Sequence, residues 1–289
     1  MLFSEQYSIG GLDLYVEGKH TMKRMLEIYG FNRFVVKERS VYPLTVCLDV
    51  PLTLPECRWL HSFGIMEDTA ECRFGVDGRG VYWFEFGDEG VLRYDPRQPE
   101  LVLASSFAEH ELVRFVMWVA YSLLALPKGV VPVHASVVVC EGRAVLCLGE
   151  SGTGKSTHTQ LWCREFKHCN IINDDSPVVC IEGDQVVVYG SPWSGKSPFY
   201  HTGHYPAAGF LRIEQRPENT IMRLKPLEAF GALQPSCPPA LAHDEHMLDL
   251  IADFIGHIIL RTPVYRLGCR PDAGAARLSH DTIFPEPCR

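Results

Sequence analysis

One octapeptide constrains this chain more than any other stretch: Gly149-Glu150-Ser151-Gly152-Thr153-Gly154-Lys155-Ser156. It fits the phosphate-loop pattern G-x-x-x-x-G-K-[ST], and its flanks suit that pattern. Ala144 to Leu148 is a short apolar run that predicts a strand ending at the first glycine, and Ser156 to Trp162 can open a helix. In that order, glycines let backbone N–H groups turn inward on an anion, and the helix start adds positive potential. The expected contacts follow. Gly149 to Gly154, with Thr157, would cradle a nucleotide; Lys155 would reach its β- and γ-phosphates; Ser156 would bind Mg²⁺. The alternative is a glycine turn before a helix that holds nothing.

Asp174 and Asp175 end a second short apolar run, Ile171-Ile172-Asn173. Strand C-terminal ends line ligand crevices in α/β sheets. Two carboxylates beside a phosphate loop suit phosphoryl transfer, one near the metal and one accepting a proton from an attacking hydroxyl. Successive strand residues point to opposite faces, so one of the pair can be structural instead. His134 sits in the apolar run Val133-His134-Ala135-Ser136-Val137, where a lone histidine is ordinarily a hydrogen-bonded core residue. Gly190 to Ser197 also fits the phosphate-loop pattern, but Pro198 follows at once and no helix can continue. It reads as a glycine-rich turn whose Lys196 either adds a cation near the phosphates or is solvated. His201/His204 and His243/His246 have zinc-compatible spacings, though the second pair also suits a helix start.

Around these motifs the chain divides into a β-rich region, 1–105, and a nucleotide-binding region, 106–289. Val41 to Val50 and Tyr82 to Phe86 have strand character between Gly/Asp-rich turns, and Met22 to Tyr29 predicts a short helix ended by Gly30. Leu112, Phe115, Val116, Val119, Leu123 and Leu124 have helical spacing, closed by Pro127 and Gly129. Val130 to Cys140 predicts one strand, Val178 to Tyr189 a hairpin, Ala208 to Glu214 a strand, and Met247 to Ile259 an amphipathic helix. The expected fold is α/β with an α+β tendency: a P-loop kinase core with a mixed β-sheet flanked by helices, preceded by a β-rich region. A regular doubly wound sheet is disfavoured, because clean βα alternation is missing.

Composition narrows the partners. A net charge of −8 gives no general surface for nucleic acid or an acidic membrane. The longest apolar run, Phe115 to Leu126, is too short to cross a bilayer, and the start shows no signal peptide. Eleven scattered cysteines without a C-x-x-C pair suggest reduced, buried thiols and a cytoplasmic protein, and argue against a zinc site built from them.

Val133-His134-Ala135-Ser136-Val137, the loop Gly149 to Thr157 and Asn173-Asp174-Asp175, taken together and in this order, resemble the HPr serine kinase/phosphorylase C-terminal domain. More broadly they are similar to the phosphoenolpyruvate carboxykinase superfamily of P-loop proteins. The likeness spans roughly residues 130 to 280 and is firm over 133 to 175. It implies that Asp175 is the proton acceptor, that Asp174 supports the metal, and that His134 belongs to the catalytic site. It also implies ATP and Mg²⁺ as cofactors, and homo-oligomers. The glycine-rich signature with a metal-binding Glu, which follows in HPr kinases, has no counterpart here, which puts HPr itself in doubt as substrate. The resulting expectation is a phosphotransferase moving a γ-phosphoryl group to a hydroxyl acceptor, a peptide, protein or small alcohol. The rival is a nucleotide-gated binding protein, or an ATPase with no acceptor.

Overall fold

The computed structural model describes residues 2–37, 40, 43–65, 70–195 and 197–285. Contacts divide the chain into Met1–Lys128 with Ala240–Leu248, and Gly129–Pro239 with Asp249–Arg289. Each unit has its own sheet.

The first unit opens with a hairpin, β1 (Leu2–Ile9) and β2 (Leu12–Lys19), then α1 (His20–Ile28), which gives way at Gly30, φ 74°. Strands β3 (Leu44–Cys47), β4 (Cys57–Ile65), β5 (Ala70–Asp77), β6 (Tyr82–Phe86), β7 (Gly90–Tyr94) and β8 (Leu101–Ala104) precede α2 (His110–Ala125). The sheet order is β1-β2-β3-β8-β7-β6-β5-β4, with the two pairings of β3 parallel and the others antiparallel. Alternation explains the antiparallel half: Phe74, Phe84 and Phe86 line one face, Phe74 and Phe84 with ring centroids 4.6 Å apart. Against it lies α2, whose Leu112, Val116, Val119, Leu123 and Leu124 are buried, and Phe86 meets Phe115 edge-on. The contact division places α2 with the first unit, its boundary at Lys128.

The second unit contains β9 (Val130–Pro132), β10 (Ala135–Cys140), β11 (Arg143–Leu148), α3 (Lys155–Glu165), β12 (Asn170–Asp175), β13 (Val178–Glu182) and β14 (Gln185–Tyr189). β15 (His204–Gln215), β16 (Thr220–Arg223), α4 (Pro226–Leu233), α5 (Glu245–Arg261), β17 (Val264–Cys269) and α6 (Ala273–Ile283) follow, the unit boundary falling within α5. The path through this sheet is β12-β10-β11-β15-β14-β13-β9, with β17 between β15 and β16. Among the described strands of this sheet, only the β11–β15 and β15–β17 pairings are parallel. The molecule is thus a mixed α/β protein with two mixed sheets. No described helix is long and apolar enough to cross a membrane.

Two expectations are corrected. Val130 to Cys140 is not one strand: it breaks at Val133-His134, β9 pairing with β13 while β10 pairs with β11 and β12. Pro132 has no N–H to continue a ladder, and the next amides leave for Pro177 O and Ser236 O at 2.9 and 2.7 Å. The thiols are not all reduced either, because the structure joins Cys140 and Cys169 as a disulfide with Cα atoms 4.5 Å apart. The other described cysteines are free.

Between the second sheet and helices α3 and α6 lies a core of Val138, Val145, Leu211, Ile213, Leu267 and the fully buried Trp162. Ala275 and Ala276 let α6 approach closely, and Trp162 Nε1 donates to His158 Nε2 at 3.1 Å and Ser279 Oγ at 2.9 Å.

Candidate functional site

Register decides what meets at one end of the second sheet. Ala135 of β10 stands opposite Leu148 of β11 and opposite Asp175 of β12. The residue before β10, the residues after β11 and the end of β12 therefore converge. Those are His134, the loop Gly149–Gly154, and Asp174-Asp175.

The loop turns on glycines: Gly149, Gly152 and Gly154 have φ of 151°, 79° and 104°, where a Cβ is strained. Gly149 is doubly required, since a Cβ there would lie 2.4 Å from Thr153 Oγ1. Thr153 Oγ1 donates to Glu150 O at 2.8 Å, and α3 begins at once with Lys155 and Ser156. Lys155 Nζ folds back to donate to Gly149 O (2.8 Å) and Glu150 O (3.1 Å) and stands 3.0 Å from His134 Nε2. Burial pushes the Lys155 ammonium below its ordinary pKa, opposed by the negative charges of Asp175, Glu150 and Asp174.

His134 turns its other nitrogen to Asp175: Nδ1 lies 3.2 Å from Oδ1. An ammonium has only donors, so His134 Nε2 accepts and the ring proton sits on Nδ1, facing the carboxylate. The result is a chain, Lys155–His134–Asp175, in which the imidazole orients a carboxylate at the mouth of the loop. Asp175 N also donates to Asn173 Oδ1 at 3.0 Å, which fixes the backbone at this strand end.

Asp174 shares its register position with Ser136, so the two lie on one sheet face. Ser136 Oγ meets Thr159 Oγ1 of α3 at 2.8 Å, which identifies that face as the one α3 covers. Asp174 Oδ1 is buried there without a hydrogen-bond partner. A buried carboxylate oxygen without a partner is costly unless a cation completes it. With the Ser156 hydroxyl at the first turn of α3, this oxygen donor set fits Mg²⁺.

The second glycine motif packs beside the carboxylates without opening a helix. Ser191 Oγ donates to Ser176 O at 2.6 Å, Asn173 Nδ2 donates to Ser191 Oγ at 3.1 Å, and Trp193 O accepts from Ser176 N at 3.0 Å. Gly195 fits against β12 so closely that a Cβ would lie 2.9 Å from Asp174 O. Lys196 lies outside the described residues. Of the spaced histidines, His204 stacks on Tyr189, His201 Nδ1 accepts from Gly203 N, and His243 stacks on His61. Among the described residues, neither pair belongs to a cluster of three metal-ligating side chains.

Two residues of the site escape sequence reasoning. Arg212 of β15, opposite Leu148, donates from Nη2 to Glu150 Oε1 at 2.9 Å, and Gln215 Nε2 donates to Gly152 O at 3.1 Å. The available signal is a lone arginine in the apolar run Phe210-Leu211-Arg212-Ile213. Beside the loop opens a cavity of about 510 Å³, lined by Gly152, Gly154, Thr157, Gln215, Arg216 and Arg270 among others. That volume is in the range of small-molecule sites.

No family model matches the chain, and no curated protein matches it. Among solved structures, the Hpr(Ser) kinase/phosphatase from Coxiella burnetii is similar at 13% identity and TM-score 0.30, over 53% of this chain and 92% of that one. The functional reading therefore rests on the site's own residues.

Proposed function

We propose that this protein is an ATP-dependent kinase that transfers the γ-phosphoryl group to a hydroxyl. The observation that carries the reading is the Lys155–His134–Asp175 chain at the mouth of the glycine loop. A loop that merely binds anions needs no oriented carboxylate beside its lysine. A phosphotransferase does, because the acceptor oxygen becomes a nucleophile as its proton leaves.

In this reading the amides of Gly149 to Ser156 and the Lys155 ammonium hold the phosphates, and the cavity beside Gly152 and Gly154 takes the rest of the nucleotide. On phosphate binding, Lys155 exchanges its bonds to Gly149 O and Glu150 O for phosphate oxygens. Asp174 and Ser156 would hold Mg²⁺, which supplies charge neutralisation between the phosphates. Asp175 receives the acceptor's proton, and His134, with its proton on Nδ1, keeps that carboxylate aimed. Arg212 adds a cation one strand away from Lys155, and Lys196 is proposed as a further one.

The test is transfer of γ-labelled phosphate from ATP with Mg²⁺ into a fractionated cell extract, beside Asp175→Asn. The wild type should label a discrete peptide, protein or metabolite. The variant should bind ATP within a few-fold of wild type and transfer roughly 10²–10⁴-fold more slowly. Wild-type transfer in Asp175→Asn would remove Asp175 as the base. Label released only as free phosphate in both proteins would replace the kinase with an ATPase.

A further inference from the structure

At the opposite end of β10 from His134, four side chains with metal-binding chemistry meet. Cys140 ends β10 and its Sγ adjoins that of Cys169, in the turn between α3 and β12. Ligand atoms of Cys140, His168 and His280 all lie within 4.8 Å of one another. In a tetrahedral zinc site, metal–ligand lengths near 2.0–2.3 Å set neighbouring ligand atoms about 3.3–3.8 Å apart, so a small adjustment closes this group on one ion.

His280 supplies a second, independent observation. Its Nδ1 lies 3.1 Å from Asp281 Oδ1, which holds the ring proton on that nitrogen. Its Nε2 is buried and has no hydrogen-bond partner. A disulfide leaves that nitrogen stranded, since bonded sulfurs are poor donors. A metal ion completes it, and a carboxylate on the far nitrogen is the usual outer partner of a ligating histidine. The His280 side of the shell is apolar: Phe166 stacks on the His280 ring at 3.8 Å, and Phe284 lies at 5.4 Å.

We propose that Cys140, Cys169, His168 and His280 form a structural Zn²⁺ site in the reduced protein. With both sulfurs as thiols, Zn²⁺ displaces two protons and takes two thiolates and two neutral imidazoles. The centre is neutral, which suits its apolar surroundings. It ties β10, the α3–β12 turn and α6 together, about 17 Å along the strand from the carboxylate end. It does not depend on the nucleotide reading.

The experiment is metal analysis of the full chain purified in a phosphine reductant, followed by cobalt replacement and chelator competition. Expected are about one zinc per chain and, with Co²⁺, a thiolate-to-cobalt charge-transfer band and intense visible bands of a tetrahedral site. Because Cys140 is buried and its variants risk misfolding, the gentler changes are His168→Ala and Asp281→Asn, both at exposed positions. Each should weaken zinc binding by roughly 10–100-fold or more while leaving nucleotide affinity unchanged. The proposal is overturned if the reduced protein takes up neither zinc nor cobalt, if thiol titration shows Cys140 and Cys169 still bonded in that reductant, or if both variants keep wild-type zinc affinity.

Discussion

His134 faces two groups of opposite charge, and its role follows from that. Lys155 at 3.0 Å offers only hydrogens, so Nε2 accepts and the Nδ1 proton points toward Asp175 at 3.2 Å. Replacing His134 by leucine removes the link while leaving the lysine its two carbonyl partners at Gly149 and Glu150. The carboxylate then loses its aim but keeps its charge. His134→Leu should therefore change nucleotide affinity little and lower kcat by about 10²-fold, the scale of a misplaced reacting group. Titration of nucleotide binding beside steady-state transfer rates checks this. Equal losses in affinity and rate would assign His134 to phosphate binding instead. His134 was legible as a site residue only through its company. Alone in an apolar run it has the appearance of a core residue, and what changes its meaning is the register that sets Ala135 opposite both Leu148 and Asp175. Arg212 lacked such company in the sequence, because its neighbour Glu150 is reached through a parallel pairing 62 positions away.

Among the elements, those with a strong local period were readable. α2 announces itself by its apolar spacing, β6 by its aromatics, and the β13–β14 hairpin by Glu182-Gly183-Asp184. The hairpin β1–β2 was not, since Ser4, Glu5, Gln6, Asp13 and Glu17 dilute its alternation. Nor was α6, whose Ala- and Gly-rich start packs by close approach rather than by a broad apolar stripe. The break at His134 is a tertiary decision: β9 pairs with β13, and the Val133 and His134 amides leave for Pro177 and Ser236, all of them partners more than forty residues away. The segment after Gly190 is another element whose purpose lies in its neighbours. Gly195 sits against the backbone of Asp174, where a methyl group would meet the carbonyl oxygen at 2.9 Å. The atom it would meet is backbone, not the far end of a flexible side chain that could yield. Gly195→Ala should cost about 1–3 kcal/mol and displace the carboxylate strand end, lowering transfer with it. Urea unfolding and activity measured on one preparation check the pairing of the two effects. A variant with wild-type activity would show that this turn does not position Asp174 and Asp175.

For the molecule as a whole, a single buried group sets an acid limit on the second unit. His158 is 2% exposed in the core between α3 and α6, and burial pushes its pKa from the ordinary 6.5 down to about 4. Its Nε2 accepts from Trp162 Nε1 at 3.1 Å and lies 3.0 Å from Ser279 Oγ, so a proton arriving there would face an indole N–H. The unfolded chain binds that proton near pH 6.5, whereas the folded one does not until about pH 4. The unfolded state thus holds more protons across this window, and stability rises with pH through it. The contribution is fully present above 6.5, fades as pH falls, and is gone below about 4; the 2.5-unit difference corresponds to about 3 kcal/mol. His158→Gln keeps an acceptor for Trp162 and cannot charge. Its urea midpoint should lie below wild type at pH 7.5, through imperfect packing, yet fall less steeply between pH 6.5 and 4.5, so that the two curves converge. Unfolding followed by hydrogen exchange in α6 reports the second unit apart from the first, which matters because two compact units need not melt together. Parallel curves for the two proteins would mean that the acid sensitivity of this core comes from other groups, and that the His158 ring is protonated at no greater cost in the folded state than in the unfolded one.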